Sequence, residues 1–455
     1  MLMIAPFRRC PLLPLAAATV AAVSACSAAA GQPDGTLPAS PVAPAPSSSA
    51  VTLVVPAGEG GGALSVPHTL TLPAGWTARV WARVPDARME AWTPDGDLLV
   101  SQPNRGSVVE LRPDATGTAT VTTLLSGLTN PQGLAFASVD GKQVLYVAES
   151  DEIDRYAWGP AGTAGARTVI AAGLPDLDPN GDDDHRLKDV AVAADGTVYF
   201  NVGSSSNANP DDRAMTPQRA VIMAVRPDGT GLRVVERGVR NGEGLALAPD
   251  GTVWTAVNER DNIPYPAHEP YTGDSDAFGK VIRAYVNDHP PDEVVPVTAG
   301  RDVGWPYCDP DQDGNRPAGS LAGIPLVSNS VTNPTGAALD CAALPPVEVG
   351  LPAHSAPLGL SFLAGGKVPA PWADGAVVAV HGSWNRQPSQ PPAVLWLAWD
   401  AAARTLRPAV ALAGGFENAG GSFWGRPVDA VPGPDGALYV SDDAVGAIYR
   451  LVPAR

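Results

Sequence analysis

The chain is short of cysteine, of cations and of charge altogether, and each shortage excludes something. Four cysteines occur in 455 residues, with no C-x-x-C-H haem attachment and no C-x-x-C metal knuckle. Any redox group must then be a bound organic cofactor, and its electrons must leave to a separate protein or quinone. Charged residues are 17% of the chain, and acids outnumber Lys plus Arg by 47 to 30, for a net charge of −17. Nucleic acid and an anionic bilayer both need clustered cations, so neither is the main partner. Gly and Pro, by contrast, number 48 each, about a fifth of the chain against the ~12% of average usage. That argues against a helical bundle and for many short strands joined by turns. The hydrophobic fraction of 45% is ordinary, so a sizeable core is available and wholesale disorder is excluded.

The first residues read as a targeting segment. Arg8 and Arg9 form a positive start, and the apolar run Leu12–Val23 is too short for a stable membrane span. Val23-Ser24-Ala25-Cys26 then resembles a bacterial lipobox, in which Cys26 is lipidated and becomes the first mature residue. The expectation is a signal over 1–25 and an exported protein, anchored by lipid to the outer face of a membrane in the bacterial cell envelope. Residues 26–64, rich in Ala, Pro, Ser and Gly, read as a tether, with the folded part over 65–455. Cys10 leaves with the signal, so Cys308 and Cys341 remain, and in an exported chain they most simply pair. Closing that loop contributes ~3 kcal/mol.

An Asp-Gly turn followed by an alternating apolar strand recurs six times: at Asp95-Gly96, Asp140-Gly141, Asp195-Gly196, Asp250-Gly251, Asp374-Gly375 and Asp435-Gly436. Asp-Gly between apolar runs is a strong hairpin signal, because both residues tolerate positive φ. Short apolar strands precede the turns, as in Gly133-Leu-Ala-Phe, Gly244-Leu-Ala-Leu and Gly359-Leu-Ser-Phe. Six copies of a four-stranded unit predict an all-β, six-bladed β-propeller. One long gap between copies marks an insertion at about residues 260–345. The last blade runs out of chain near Arg455, and Thr69–Val84 supplies its missing strand.

In a propeller, residues beside the inner strands of different blades meet at the axis. At those positions stand Asp182-Asp183-Asp184-His185-Arg186-Leu187-Lys188, Arg240-Asn241, His354-Ser355, Arg426-Pro427 and His381-Gly-Ser383-Trp384-Asn385-Arg386. An acidic protein that gathers Arg, His and Lys at one axis points to an anionic ligand, and a base among them points to chemistry. Around these residues the runs HRLKDVAVAADGTVYFNVGS, RNGEGLALAPDGTVW, DVGWPYC, AHSAPLGLSF, AVHGSWNR and WGRPVDAVPGPDGALYVSDD are similar to the glucose/sorbosone dehydrogenases. These are six-bladed propeller enzymes that use pyrroloquinoline quinone (PQQ) with calcium. The resemblance covers about residues 69–455. It implies oxidation of a sugar or sugar-derived aldehyde, with electrons passed to an external quinone or cytochrome. It further implies His185 as the base and Arg240, Asn241, His354, Arg386 and Arg426 around PQQ. Calcium would sit on the main-chain carbonyls of Glu259 and Arg260.

The sequence also departs from the glucose-oxidising pattern. Ser204 stands where an Asp orients the base, Ser383 where a Lys approaches the quinone, and Val428 where a second Arg follows Arg426. Arg386 is the expected substitute for the missing Lys. These changes lean toward the sorbosone-type branch. Two other readings compete: a calcium-dependent lactonase, which would need several axial carboxylates, and a carbohydrate-binding propeller without catalysis. The stretch Asp178–Asp184 reads as a calcium loop or a solvated loop, and Asp309-Pro-Asp-Gln-Asp-Gly as a turn. Trp305, Trp384 and Trp424 read either as stacking surfaces for a sugar or cofactor or, in preference, as packing residues between blades.

Overall fold

The computed structural model describes residues 47–454, apart from 116, 161, 177–184, 274 and 314–320. The expected signal, Cys26 and the Asp178–Asp184 stretch lie outside the described residues.

The protein is a six-bladed β-propeller, each blade an antiparallel sheet. The first strands of the blades are Glu90–Trp92, Leu134–Val139, Val190–Val192, Gly244–Leu247, Pro357–Phe362 and Pro427–Pro432. Each touches the first strand of the next blade, and that of blade six touches that of blade one, so the ring is closed. They surround a narrow axial channel of about 290 Å³. No single core exists. Apolar side chains pack between neighbouring blades, as where Tyr146 and Ile153 of blade two meet Phe200 and Met223 of blade three.

Blade six is completed from the far end of the chain. Thr77–Arg83 pairs with Ala447–Val452, from Thr77 opposite Val452 to Arg83 opposite Ala447. Only this half of the expected closing segment does so. Thr69–Pro73 pairs instead with Ser48–Thr52 and bridges to Gly414 beside blade five. The tether expectation therefore needs correcting at its end. The folded part already includes Ser48–Thr52, and Leu53 and Leu64 reach a core with Leu70, Leu72 and Trp424.

The expected insertion is two excursions from blade four. One spans 258–291, between Val253–Val257 and Asp292–Pro296; the other spans 297–346, before Val347–Leu351. The second is closed by the Cys308–Cys341 disulfide. The turns also differ in detail. Gly96, Gly196, Gly251 and Gly436 take φ of 96°, 85°, 85° and 84°, while among the six aspartates only Asp140 joins its glycine at positive φ. In three of these turns the Asp carboxylate accepts from the amide two residues on, at 2.9 Å for Thr197, 3.0 Å for Thr252 and 3.1 Å for Ala437. That bond, rather than a left-handed Asp, fixes the turn.

At the head of the six first strands stand Met89, Gly133, Asp189, Gly244, Gly359 and Asp429. Asp189 accepts the Leu245 amide of blade four at 2.8 Å, and Asp429 accepts the Glu90 amide of blade one at 3.0 Å. The glycines are pressed against the following blade: a Cβ on Gly359 would lie 2.1 Å from Asp429 Oδ1. We expect Gly359→Ala to destabilise the fold by ~1–3 kcal/mol through overpacking, measured by thermal denaturation. Gly420→Ala, at a site with no atom within 4 Å, should leave the melting temperature nearly unchanged.

Candidate active site

The loops ahead of the first strands converge at one end of the axis on a cavity of about 420 Å³. His185, Arg240, Asn241, His354 and Arg426 all line it, so five residues scattered over 242 positions of sequence share one space. Arg88, Glu243, Asn258, Asp261 and His381 join them.

His185 is buried at the cavity wall, and its Nδ1 lies 2.8 Å from Ser204 Oγ. That hydroxyl donates to the Ser206 carbonyl at 2.8 Å, so toward the imidazole it accepts. Nδ1 then carries the ring proton, and the lone pair of the neutral ring is on Nε2. Burial, and next the Arg240 charge, push the His185 pKa well below the ordinary range, which keeps the ring neutral at pH 7. Ser204 thus occupies the orienting position inferred from spacing, as a neutral acceptor in place of a carboxylate.

Arg240 is fixed by carbonyls. Its Nη1 donates to Asn258 O and Glu259 O, both at 2.9 Å, Nε donates to Asn207 O at 3.2 Å, and Nη2 to Asn207 Oδ1 at 3.2 Å. One of its five N–H groups remains for a ligand. Arg426 donates to His381 O at 2.8 Å and Gly382 O at 3.3 Å. Arg88 reaches Gln132 Oε1 at 3.0 Å, Glu243 Oε2 at 2.9 Å and Asp443 Oδ2 at 3.1 Å. Asn241 donates to Glu243 Oε1 at 3.0 Å, while its buried Oδ1 has no hydrogen-bond partner.

His354 has a left-handed backbone, φ 62°, with Ala356 at φ 52° two residues on. Such strain in non-glycine residues concentrates at functional sites. Its Nε2 donates to Val286 O at 2.6 Å, and its Nδ1 faces Asp261 Oδ1 at 3.5 Å. Burial works to lower its pKa, but Asp261, Asp292 and the Val286 carbonyl together raise it.

Three expectations are corrected. Arg386 does not face the cavity: it is buried among Asn287 O at 2.7 Å, Pro388 O at 2.9 Å and Asp288 Oδ1 at 2.9 Å. Ser383 Oγ accepts the Gln390 amide at 2.7 Å, so neither residue replaces the expected lysine. Glu259 and Arg260 lie outside the cavity lining, and the Glu259 carbonyl is taken by Arg240. Oxygen-bearing side chains in the lining include Asp261, Glu243 and Asn241, while the Asn258 carbonyl, like that of Glu259, is held by Arg240. Lys188, finally, is buried on main-chain carbonyls, including Pro175 O at 2.8 Å and Arg186 O at 2.9 Å.

Arg88 supplies cationic capacity that the motif reading missed, while burial pushes the His381 pKa below the ordinary range. Arg88, like Arg426, stands shortly before the first strand of its blade, so its neighbourhood was visible. Of the three tryptophans, Trp305 and Trp424 are buried as expected, at 1% and 7%, but Trp384 is 75% exposed at the cavity rim. An exposed ring there is a stacking surface for a flat or sugar-like ligand.

A closed propeller with a cation-rich axial cavity and one oriented imidazole defines the class. The chain belongs to the TrAA12-like family, whose model matches residues 70–454. A protein of Borreliella burgdorferi, described as uncharacterized, is 28% identical over 256 residues, which span 56% of this chain and 56% of that protein. Among solved structures, the holo PQQ domain of pyranose dehydrogenase from Coprinopsis cinerea is 22% identical, with TM-score 0.67 over 88% of this chain and all of that one. A calcium structure of the family AA12 enzyme from Trichoderma reesei is 18% identical, with TM-score 0.66 over 85% and 97% of the two chains. The PQQ-bound aldose sugar dehydrogenase of Streptomyces coelicolor is 16% identical, with TM-score 0.50 over 84% and 99%. At these identities the solved structures establish the fold.

Asp443 ties two blades to the site, accepting from Arg88 and lying 2.8 Å from His381 Nε2. Burial opposes ionisation, but His381 and Arg88 outweigh it and hold its pKa at about 2 against an ordinary 3.8. A depressed carboxyl pKa contributes stability above the ordinary value, which is lost as pH falls through the folded one. Asp443→Asn should cost on the order of 2 kcal/mol near neutrality, with the difference from wild type closing between pH 4 and pH 2 in denaturation curves.

Proposed function

We propose that the chain is a PQQ-dependent oxidoreductase acting on a sugar or sugar-derived aldehyde, with His185 as the base. The observation that carries this reading is a neutral, oriented imidazole in one cavity with three arginines. The group fits the residues. A planar tricarboxylate matches Arg88, Arg426 and the remaining N–H of Arg240, and the orphaned Asn241 Oδ1 offers an acceptor to any N–H or O–H edge. When bound, the quinone supplies a two-electron acceptor next to the substrate carbon.

The chain's own part is proton transfer and placement. His185 Nε2 takes the proton of the reacting hydroxyl, while Ser204 keeps Nδ1 protonated and the ring in register. Three carbonyls and one amide oxygen hold the Arg240 guanidinium still, so its charge is in place before any ligand arrives. Trp384 offers an apolar face at the rim for a sugar ring. Calcium would find an oxygen donor at Asp261 rather than at Glu259 and Arg260, since Arg240 holds both the Asn258 and the Glu259 carbonyls. Electrons then pass to an external quinone or cytochrome. Export with a lipid at Cys26 remains part of this proposal, and the Cys308–Cys341 disulfide suits an oxidising compartment.

The lactonase alternative needs carboxylates turned toward a metal, but Glu243 is engaged by Arg88 and Asn241. The binding-protein alternative gives no reason for an oriented base. Purified protein mixed with PQQ and calcium should reduce an artificial dye with some member of a panel of aldoses and sorbosone. His185→Ala should retain PQQ binding by absorbance yet lower turnover ~10²-fold or more. Arg426→Ala should instead weaken PQQ binding. Normal turnover by His185→Ala would refute the base, and no PQQ binding by wild type would favour a binding protein.

A further inference from the structure

The two excursions of blade four meet away from the cavity. The first makes a helical turn, Arg283–Val286, and leaves it through His289. The second passes through Cys308–Pro310 into Asp311 and Asp313. Where they touch, His289 Nε2 lies 3.5 Å from Asp311 Oδ1 and 3.2 Å from Asp313 Oδ2.

The histidine is 2% exposed, its ring stacked on Tyr285 with centroids 4.1 Å apart. Its Nδ1 lies 3.0 Å from the Tyr285 carbonyl, which can only accept, so Nδ1 carries a proton. In the neutral ring the lone pair is then on Nε2, aimed at two carboxylates. Lone pair against anions is repulsive unless a positive charge stands between them. Yet Nε2 makes no hydrogen bond with either oxygen, despite their closeness. A proton on Nε2 would supply that charge as an ion pair with the two carboxylates, and a divalent metal can take the proton's place. A metal ion asks only that the ligand atoms converge, and the three lie within 4.8 Å of one another. Bonds of ~2.0–2.1 Å at tetrahedral angles place neighbouring ligand atoms ~3.3 Å apart, close to both measured separations. Two more buried oxygens nearby, Asp309 Oδ1 and Tyr285 Oη, also lack hydrogen-bond partners.

We propose that His289, Asp311 and Asp313 form a divalent-metal site of the zinc class, completed by water. An imidazole nitrogen with two carboxylates suits a borderline transition cation better than calcium, which prefers oxygen alone. The Tyr285 carbonyl on Nδ1 is the outer partner that such ligating histidines have. None of the three residues lines the axial cavity, and the site does not rest on the redox reading.

Its consequence for the cavity is mechanical. The segment carrying His289 also presents Val286 O to His354 at 2.6 Å, and Asn287 O and Asp288 to Arg386 at 2.7 and 2.9 Å. A metal here pins that segment to the disulfide-closed arm and so braces one wall of the cavity.

The test uses the full chain, stripped with a chelator and free of PQQ. Zn²⁺, Mn²⁺ and Ca²⁺ are titrated separately, with bound metal counted by mass spectrometry and melting followed by calorimetry. One Zn²⁺ per chain should bind and raise the melting temperature. Cobalt in its place should give visible absorption of nitrogen and oxygen coordination. His289→Ala and Asp313→Asn should each weaken Zn²⁺ binding at least tenfold, while the cavity variant Asp261→Asn should not. Asp313 is largely exposed, so its variant keeps the test decisive if His289→Ala misfolds. Unchanged Zn²⁺ binding by Asp313→Asn, binding of Ca²⁺ alone, or no metal bound to wild type would each overturn the proposal.

Discussion

Everything at the axis depends on ring closure, because loops from five of the six blades meet in one cavity only when no blade can swing away. Two kinds of contact enforce it. At the rim, Thr77–Arg83 zips onto Ala447–Val452, so the beginning and end of the chain are one sheet. At the centre, Asp429 of blade six accepts the Glu90 amide of blade one. Opening the ring would expose both the pairing edge and a core containing Trp81, Tyr439 and Ile448. A closed sheet edge also removes the unpaired strand that an open blade would present to other chains.

With the frame closed, the cavity can afford charges that solvent would otherwise screen. Its arginines are anchored to main-chain oxygens more than to carboxylates: Arg240 to Asn258, Glu259 and Asn207, Arg426 to His381 and Gly382. A carbonyl fixes a guanidinium without neutralising it, so the cation stays available to an anionic ligand. Where carboxylates do intrude, as with Glu243 and Asp443 against Arg88, they link blades that are distant in sequence. The left-handed His354 and its bond to Val286 show the excursions of blade four acting on the same cavity.

Much of this was legible because a propeller converts sequence phase into position. The Asp-Gly period placed the blades, and counting along blade three correctly set Ser204 against His185. Phase fails where a side chain answers to something far away. Arg386 follows the axial run HGSWNR, yet its guanidinium finds Asn287 O and Asp288 from the other excursion, which no spacing announces. Glu259 looked free to hold calcium until Arg240 reached its carbonyl. Ser48–Thr52 looked like tether because its composition is poor in apolar residues, but a strand needs only a partner edge, and Thr69–Pro73 provides it. Arg88 carried a readable signal, standing like Arg426 shortly before a first strand.

The different residues at the head of the inner strands bear on how such a ring can change over time. Asp189 requires a successor that offers a backbone amide, and Gly133 and Gly359 each require a neighbour that comes too near for any side chain. The six units are therefore not interchangeable tiles. Copying blade two into the place of blade three would set a glycine where the carboxylate that stitches to Leu245 belongs. Exchanging an aspartate-headed unit for a glycine-headed one would break a seam, so this ring can be remodelled through its loops more readily than by such exchanges.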